Sequence, residues 1–418
     1  MKSLNELKKE YKNKVNTINI SARDLAMAET VDALIIGAGL YGLHVGELLN
    51  KNNITHKIVA KNYYLDYEDD FYSTTNSRIP MASLANGAKI NSGYMDYTKK
   101  VDIIKNDLTN YTKFIDEFND ELMIPKDYNN LYGLDEINNE DKNWAKAIRN
   151  IKKKYNAEET YTNTLINVRE MHNINEAAID PFRMMERKTY NYLKGSVNTN
   201  NEGIILDEIS KAVRLDDYWY IKLNEKSQLI KAKYIFNCTY SGIKEIEKIF
   251  NINTNINLVY DICELVLFTS GIMDEENLNN NAFTILNKDK FKSITPFCYS
   301  KIITSDNISN WVFADETYNK FAESYDYNTI YEEFTCGSLR SNKVDMLKSI
   351  SQYVGLLDKE KYKKSIFTIK ANDVDNKDNN LIIEHDKTNT FYSILGNKLS
   401  SIYELNEIIN NIFSKKDK

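Results

Sequence analysis

The chain has 418 residues, 42% of them hydrophobic and 27% charged, and a formal net charge of −6, an ordinary composition for a globular protein of two or three folding units. No strongly basic stretch and no run of about 18 apolar residues occurs, so the sequence predicts neither nucleic-acid binding nor a membrane span. The four cysteines and four histidines are dispersed and form no CxxC pair, so we expect no metal site and a reducing, cytoplasmic location.

Residues 1–28 are predicted to form a polar helical extension. Leu4, Leu7 and Tyr11 fall on one face of a helix, which is the spacing of an amphipathic segment. Such a helix could pack on the domain that follows or mediate a contact with a partner, and the sequence leaves both open.

A strand, a glycine-rich turn and a helix follow. The nearly continuous apolar run at residues 31–36 is typical of a strand buried on both faces of a parallel sheet. The turn reads Gly37-Ala38-Gly39-Leu40-Tyr41-Gly42, a helix is predicted over residues 43–49, and a strand at residues 56–60 completes a βαβ unit. In such a unit the glycines permit a tight turn, close approach of the backbone to a pyrophosphate, and close helix packing. Because the helix N-terminus favours anions, the loop predicts dinucleotide binding.

The end of the second strand departs from this pattern. An Asp or Glu usually stands there and binds the hydroxyls of the ribose. Here the sequence reads Ala60-Lys61-Asn62 and contains no acid. Asn62 could hydrogen-bond a hydroxyl and Lys61 could meet a phosphate, so both are candidate cofactor ligands.

The remainder of the chain alternates between helical and extended patterns, without an internal repeat or a Pro/Gly/Ser-rich linker. In chain order, we predict mostly helix at residues 155–187 around a break at Asp180-Pro181, strands at residues 203–209, 218–223 and 233–238, further β structure at residues 282–313, helix at residues 331–362, a strand at residues 390–395, a turn at Gly396 and a helix at residues 399–413.

Four segments resemble the D-amino-acid-oxidase-like superfamily of FAD-dependent oxidoreductases, in an uncharacterised branch. They are the glycine loop, residues 82–94 (ASLANGAKINSGY), residues 236–243 (FNCTYSGI) and residues 393–399 (SILGNKL). The second is similar to a segment of the branch, Ala-Ser-x-x-Asn-x-Ala-Arg-x-His-x-Gly-Tyr, that lies over the flavin. The third is similar to the strand and turn where the chain re-enters the FAD domain. The fourth is similar to the C-terminal Gly-x-Lys turn near the flavin ring.

The resemblance extends over nearly the whole chain after residue 29, and it implies an α/β fold in which a Rossmann-type FAD-binding domain is interleaved with a mixed β-sheet substrate domain. We expect the FAD-binding domain at residues 29–100, 150–255 and 365–418, and the substrate domain at residues 101–149 and 256–364. The cofactor contacts that the loop and the resemblance imply are Gly37, Gly39, Leu40, Tyr41, Gly42, Lys61, Asn62, Ser83, Asn86, Ala88, Asn91, Thr239, Gly396, Lys398 and Leu399.

Four residues are candidates for catalysis. Lys398 could stabilise negative charge at the pyrimidine end of the flavin, or it could cap its own turn. Arg78 could bind a substrate carboxylate in planar bidentate geometry, or it could form a surface ion pair. Tyr94 and Tyr240 could line the substrate side, or they could serve in packing.

The branch continues Gly-Tyr-His-Tyr-Pro-Arg-Ser, whereas this chain reads Gly93-Tyr94-Met95-Asp96-Tyr97-Thr98-Lys99, so no role of that His or Arg carries over. No His or Cys lies between residues 57 and 171, so we expect non-covalent FAD. The implied reaction is oxidation of a small amine, amino acid or hydroxy acid by hydride transfer to flavin, with O2 or another electron acceptor. Two alternatives stay open: a non-redox flavoenzyme such as an isomerase, and a degenerate FAD-fold binding or scaffold protein.

Overall fold

The computed structural model describes residues 25–61, 82–84, 89–90, 101–122, 129–136, 158–159, 165–174, 176–198, 203–226, 229–270, 281–287, 290–296, 311–315, 320–335, 340–353, 360–376 and 379–414. The chain divides into two compact units. Unit 1 comprises Met1–Asp69, Met185–Leu258 and Ala371–Lys418, and unit 2 comprises Asp70–Met184 and Val259–Lys370.

The strands of the described residues are, in chain order, β1 (Glu29–Ile36), β2 (His56–Ala60), β3 (Asn129–Asp135), β4 (Glu158–Glu159), β5 (Val168–Ile174), β6 (Ile204–Leu206), β7 (Ile209–Leu215), β8 (Tyr218–Leu223), β9 (Ile230–Asn237), β10 (Leu258–Ser270), β11 (Asn281–Asn287), β12 (Lys290–Pro296), β13 (Trp311–Asp315), β14 (Lys320–Ser324), β15 (Glu360–Asp373), β16 (Leu381–His385) and β17 (Phe391–Gly396). The α-helices are α1 (Leu40–Lys51), α2 (Val101–Glu117), α3 (Pro181–Asn198), α4 (Ile243–Ile249), α5 (Tyr327–Thr335), α6 (Lys343–Ser351) and α7 (Leu405–Ser414). Short 3-10 helices lie at Asn119–Glu121, Tyr240–Gly242 and Leu399–Glu404. Among the described residues, no helix is both long enough and apolar enough to cross a membrane.

Unit 1 is built on a sheet with the strand order β16-β17-β9-β1-β2-β6, to which β7 and β8 are joined beside β9. The strands β17, β9, β1, β2 and β6 run parallel to their neighbours along this path. Leu34 and Ile35 of β1 are both fully buried although their side chains point to opposite faces. The continuous apolar run in the sequence is therefore explained by a central strand that is covered on both sides.

Unit 2 is built on a second sheet, with the order β14-β10-β13-β12-β11-β3-β5-β4 and with β15 beside β10. Leu131, Phe283 and Ile294 belong to a buried apolar cluster that also contains Met346 of α6. On β3 the next residue along, Tyr132, must point to the opposite face, because side chains alternate along a strand. Tyr132 pairs in register with Thr284 of β11, so one face of the sheet carries an apolar core and the other carries polar side chains.

The expected domain bounds differ from the packing of the two units. The described residues within 70–100 and 150–184 group with unit 2, and their assignment to the FAD-binding domain stays a prediction. Lys89 forms a β-bridge with Ala178, and β5 pairs with β3. Because these pairings join residues that are far apart in the chain, local patterns could not reveal them.

Most elements of unit 1 lie where the sequence predicts them, including β1, β2, β8 and the closing strand β17. The predicted strand at residues 203–209 is divided into β6 and the start of β7 by a turn at Asp207. The predicted C-terminal helix begins as the 3-10 helix Leu399–Glu404 before α7.

The prediction of helix at residues 155–187 is wrong for the described residues before Pro181. They include β4 and β5, which pair with each other, and β5 also pairs with β3. Helix α3 begins at Pro181, where Asp180 Oδ1 accepts a hydrogen bond from the amide of Phe182 at 2.9 Å. The helix predicted at residues 331–362 is also wrong at its end, since β15 begins at Glu360. The extension at residues 1–28 lies outside the described residues up to residue 24.

Candidate functional site

The carboxyl ends of the parallel strands of unit 1 meet at one edge of its sheet. In open α/β sheets, ligands bind in the crevice outside this edge. The residues that follow the strands there are 37–42 after β1, Lys61 after β2, Asp207 and Glu208 after β6, Thr239 and Tyr240 after β9, and 396–399 at the end of β17. The fold thus brings together the predicted residues Gly37, Gly39, Leu40, Tyr41, Gly42, Lys61, Thr239, Tyr240, Gly396, Lys398 and Leu399.

The glycine loop is shaped by close backbone contacts. Gly37 has a φ of +100°, and a Cβ built there would lie 2.8 Å from the carbonyl oxygen of Cys238. A Cβ on Gly42 would lie 1.9 Å from the carbonyl oxygen of Gly37. A side chain at either position would therefore force the loop away from β9 or from the start of α1.

The N-terminus of α1 has the chemistry of an anion site. Its N-cap residue is Gly39, which has no side chain to accept hydrogen bonds from the first turn, and no acidic residue lies in that turn. The first amides of a helix have no partner within the helix, and the helix dipole places partial positive charge there. This end of α1 can therefore bind a phosphate through backbone N–H groups.

A direct link joins the glycine loop to the C-terminal turn. The Tyr41 hydroxyl donates a hydrogen bond to the carbonyl oxygen of Lys398 at 2.5 Å. The Tyr41 ring lies so close to Gly396 that a Cβ there would be 1.9 Å from it. Loss of contact with water raises the pKa of Tyr41, and the nearby Glu404 and Tyr240 add to this rise. Tyr41 therefore holds these two segments together as a neutral phenol.

Lys398 is the N-cap residue of the 3-10 helix that begins at Leu399. Its carbonyl oxygen also accepts a hydrogen bond from the amide of Ser401 at 3.3 Å. The backbone of Lys398 is thus occupied in the turn, while its side chain is half-buried.

The turn after β9 contains a strained residue. Tyr240 has a φ of +56°, which lies in the left-handed region of backbone conformation that residues other than Gly, Asn and Asp rarely adopt. The preceding Thr239 donates its hydroxyl to Asn237 Oδ1 at 2.7 Å, and the amide of Asn237 bonds the carbonyl oxygen of Ile243 at 3.0 Å. Backbone strain of this kind clusters at functional sites and persists because the surrounding contacts enforce it.

At the β2–β6 end of the edge, Lys61 and Glu208 form an ion pair. Lys61 Nζ and Glu208 Oε1 are 2.6 Å apart, and both side chains are exposed. The sequence predicted Lys61 as a cofactor residue but missed Glu208, because about 150 residues separate β2 from β6 and no local pattern indicates that they are neighbours.

Unit 2 contains a buried polar cluster that the sequence also missed. Lys89 Nζ lies 3.1 Å from Glu176 Oε2 and donates to Thr284 Oγ1 at 2.8 Å, and it contacts the hydroxyl of Tyr132. Tyr132 in turn donates to Glu176, which also accepts from Asn130 Nδ2 at 3.3 Å. Burial lowers the pKa of Lys89, and the Glu176 carboxylate opposes that shift.

Within this cluster, Glu176, Tyr132 and Thr284 supply three acceptors, which matches the three ammonium protons of Lys89. A signal for it was present in the sequence. Lys89 lies in the segment at residues 82–94, where the resembling branch has an Arg, and a cation at that position called for a buried carboxylate elsewhere.

Several predicted site residues lie outside the described residues: Arg78, Tyr94, Asn62, Asn86, Ala88 and Asn91. Ser83 is described, lies in unit 2 and is half-buried in a turn. Their predicted roles stay predictions.

Comparison with known proteins gives a clear match at the level of structure. No protein-family model matches the chain, and no curated protein matches it. Solved structures do match it over nearly its full length. Glycine oxidase from Geobacillus kaustophilus is similar with a TM-score of 0.64 at 10% sequence identity, covering 93% of this chain and 94% of that one.

Two further structures are similar to the same extent. L-alpha-glycerophosphate oxidase from Mycoplasma pneumoniae, solved with FAD bound, has a TM-score of 0.67 at 13% identity and covers 92% of this chain and 95% of its own. L-proline dehydrogenase from P. horikoshii has a TM-score of 0.61 at 12% identity and covers 94% and 95% of the two chains. The chain thus shares the fold of these oxidases and this dehydrogenase, which confirms the fold class that the sequence resemblance implied.

Proposed function

We propose that this protein is a FAD-dependent oxidoreductase that oxidises a small amine, amino acid or hydroxy acid. The observation that carries the proposal is the edge of the unit 1 sheet, where Tyr41 links the glycine-capped N-terminus of α1 to the turn at residues 396–399. This edge combines a site for a pyrophosphate with the turn that resembles the flavin-contacting turn of the superfamily. The solved structures of similar fold are oxidases and dehydrogenases, and one of them contains FAD.

The residues of this edge fit FAD. The phosphates require backbone amides and the absence of a competing side chain, and Gly39 at the start of α1 meets both conditions. Close approach of the cofactor requires a loop without side chains, and Gly37 and Gly42 are packed against backbone atoms that exclude a Cβ. The sequence has no His or Cys between residues 57 and 171, which supports non-covalent binding.

When FAD is bound, its isoalloxazine ring supplies a hydride acceptor for a C–H bond next to an amine or hydroxyl. The protein supplies position and electrostatics. Under this proposal, the amides of the first turn of α1 hold the pyrophosphate, and backbone amides near Gly396 and the ammonium of Lys398 stabilise negative charge at the pyrimidine end of the ring. Tyr41 keeps these two groups at a fixed separation through its bond to Lys398.

The proposed substrate class follows from the proteins of similar fold. The proteins of similar fold are named for glycine, L-proline and L-alpha-glycerophosphate, which are small molecules with an oxidisable C–N or C–O carbon. Arg78 remains the proposed partner of a substrate carboxylate, and Tyr94 and Tyr240 remain the proposed aromatic residues on the substrate side. O2 or another small electron acceptor completes the reaction.

The visible absorption spectrum of the purified protein, taken before and after acid precipitation, tests the proposal. We expect bands at about 375 and 450 nm that move to the supernatant, and bleaching of the 450 nm band by an oxidisable amine or hydroxy acid. Bands that stay with the precipitate would contradict non-covalent binding. A spectrum without these bands, even after incubation with FAD, would instead favour a degenerate binding protein.

A further inference from the structure

In the part of the chain that the structure describes, the end of β2 carries no carboxylate, a group that a FAD site of this type uses there. In a dinucleotide-binding βαβ unit, a carboxylate at the end of the second strand accepts hydrogen bonds from the hydroxyls of the adenosine ribose. Here β2 ends at Ala60 and Lys61 follows, so the strand supplies no carboxylate. Among the described residues, the carboxylates beside the end of β2 come from a neighbouring strand of the same edge.

The neighbouring element is β6. It runs parallel to β2 and in register with it, so that Ala60 lies opposite Leu206. The amide of Asp207 donates to the carbonyl oxygen of Ala60 at 3.1 Å. The two residues that follow β6, Asp207 and Glu208, therefore stand beside the end of β2, and both are acids.

The carboxylate of Asp207 is occupied by hydrogen bonds from backbone amides. Its carboxylate accepts hydrogen bonds from the amides of Glu208 at 2.7 Å, Lys226 at 3.1 Å and Glu225 at 3.2 Å, and its side chain is buried. Burial acts to raise the pKa of Asp207, but these amides outweigh it and hold the pKa below its ordinary value. Asp207 thus shapes the turn that presents the next residue.

Glu208 has an exposed carboxylate directed to the end of β2. Its Oε1 lies 2.6 Å from Lys61 Nζ, and its Oε2 accepts from Asn224 Nδ2 at 3.3 Å. A carboxylate can accept about four hydrogen bonds, so these two contacts leave capacity for two more donors. The ammonium of Lys61 orients this carboxylate, and both side chains stay exposed.

We infer that Glu208 is the carboxylate that binds the hydroxyls of the adenosine ribose of FAD, with Lys61 as the residue that positions it. The inference rests on the proposed function. It assigns to the residue after β6 a role that usually belongs to the residue at the end of β2. It also accounts for the exposed carboxylate of Glu208, which is directed to the end of β2.

The test is the affinity of the full-length apoprotein for FAD, measured by calorimetric titration. Glu208→Ala should weaken FAD binding about 10-fold to 100-fold, because it removes hydrogen bonds to a charged group. Glu225→Ala is the matched control: Glu225 follows β8, its backbone amide bonds the Asp207 carboxylate and its side chain is exposed, so its change should leave the affinity within about twofold of the wild type. Thermal melting of the apoproteins checks that both variants are folded.

A FAD analogue that lacks both hydroxyls of the adenosine ribose isolates the proposed contact. The wild type should bind this analogue about as weakly as Glu208→Ala binds FAD, and Glu208→Ala should lose no further affinity for it. Two results would overturn the inference while leaving FAD binding intact. In the first, Glu208→Ala loses as much affinity for the analogue as it loses for FAD. In the second, Glu208→Ala binds FAD as tightly as Glu225→Ala does. Failure of the wild type to bind FAD at all would instead overturn the proposed function.

Discussion

Two lysine–glutamate pairs of comparable length lie in opposite surroundings in this protein. Lys61 and Glu208 are 2.6 Å apart with 62% and 46% of their side chains exposed. Lys89 and Glu176 are 3.1 Å apart with 9% and 0% exposed. Water screens the first pair, so it stabilises the fold little and its carboxylate can bind another donor. The second pair is held by Tyr132 and Thr284 and cannot lose a partner without leaving a buried charge.

The largest effect we expect comes from breaking the buried pair. Lys89→Met leaves the carboxylate of Glu176 without its cation, and should lower the free energy of unfolding by about 3–5 kcal/mol. The matched change in the exposed pair, Lys61→Met, should cost no more than about 1 kcal/mol. Urea denaturation of the two variants measures both values. Equal losses in the two variants would contradict the distinction between the pairs.

Removing both buried charges sharpens the same comparison. In Lys89→Met with Glu176→Leu no charge is left uncompensated, so the double variant should be more stable than Lys89→Met alone. The double variant could instead lose as much free energy of unfolding as Lys89→Met and Glu176→Leu lose together. In that case the cluster stabilises unit 2 through its hydrogen bonds and not through charge compensation.

A pair of tyrosines on α3 tests burial in a second way. Tyr192 is fully buried against Gly46 of α1, whereas Tyr190 exposes 62% of its surface. Burial raises the pKa of Tyr192 from 10.0 to about 12. The unfolded chain therefore loses this proton first, so the contribution of the neutral phenol is intact below pH 10 and is lost as the pH rises towards 12.

This difference in pKa corresponds to about 3 kcal/mol at the alkaline end of the range. Tyr192→Phe cannot ionise, so its stability should fall less steeply between about pH 10 and 12 than that of the wild type. The stability of Tyr190→Phe, on the same helix, should change with pH in the same way as that of the wild type. Urea denaturation across this pH range gives the comparison, and identical slopes for the two variants would refute it.

The smallest effect concerns the link between the glycine loop and the C-terminal turn. Tyr41→Phe keeps the ring against Gly396 but removes the hydrogen bond to Lys398, and should lower the free energy of unfolding by about 1 kcal/mol. The same variant should also weaken FAD binding modestly, because the glycine loop and the C-terminal turn, which are both proposed to contact the cofactor, are no longer joined by this hydrogen bond. Unchanged stability and affinity would show that ring packing alone holds the turn.

The sequence predicted the secondary structure of unit 1 well where the signal was local. The strand, glycine loop and helix at residues 31–50 follow from apolar periodicity and from the glycines, and the C-terminal turn at Gly396 follows from its resemblance to the superfamily. Prediction was poor at residues 155–174, where the described residues form β4 and β5. Short strands with polar residues carry little periodicity, and their stability comes from pairing with β3, which lies elsewhere in the chain.

By itself, the sequence determined the βαβ unit and the glycine at its helix N-terminus, because a buried strand, a tight turn and a helix each leave a pattern within a few neighbouring residues. The tertiary structure alone decided which carboxylate stands beside the end of β2 and which one neutralises Lys89. Glu208 reaches β2 because β6 pairs with it, and Glu176 reaches Lys89 through the bridge to Ala178. Both contacts depend on strand pairing between distant segments, which burial and backbone hydrogen bonding select and which no local pattern records.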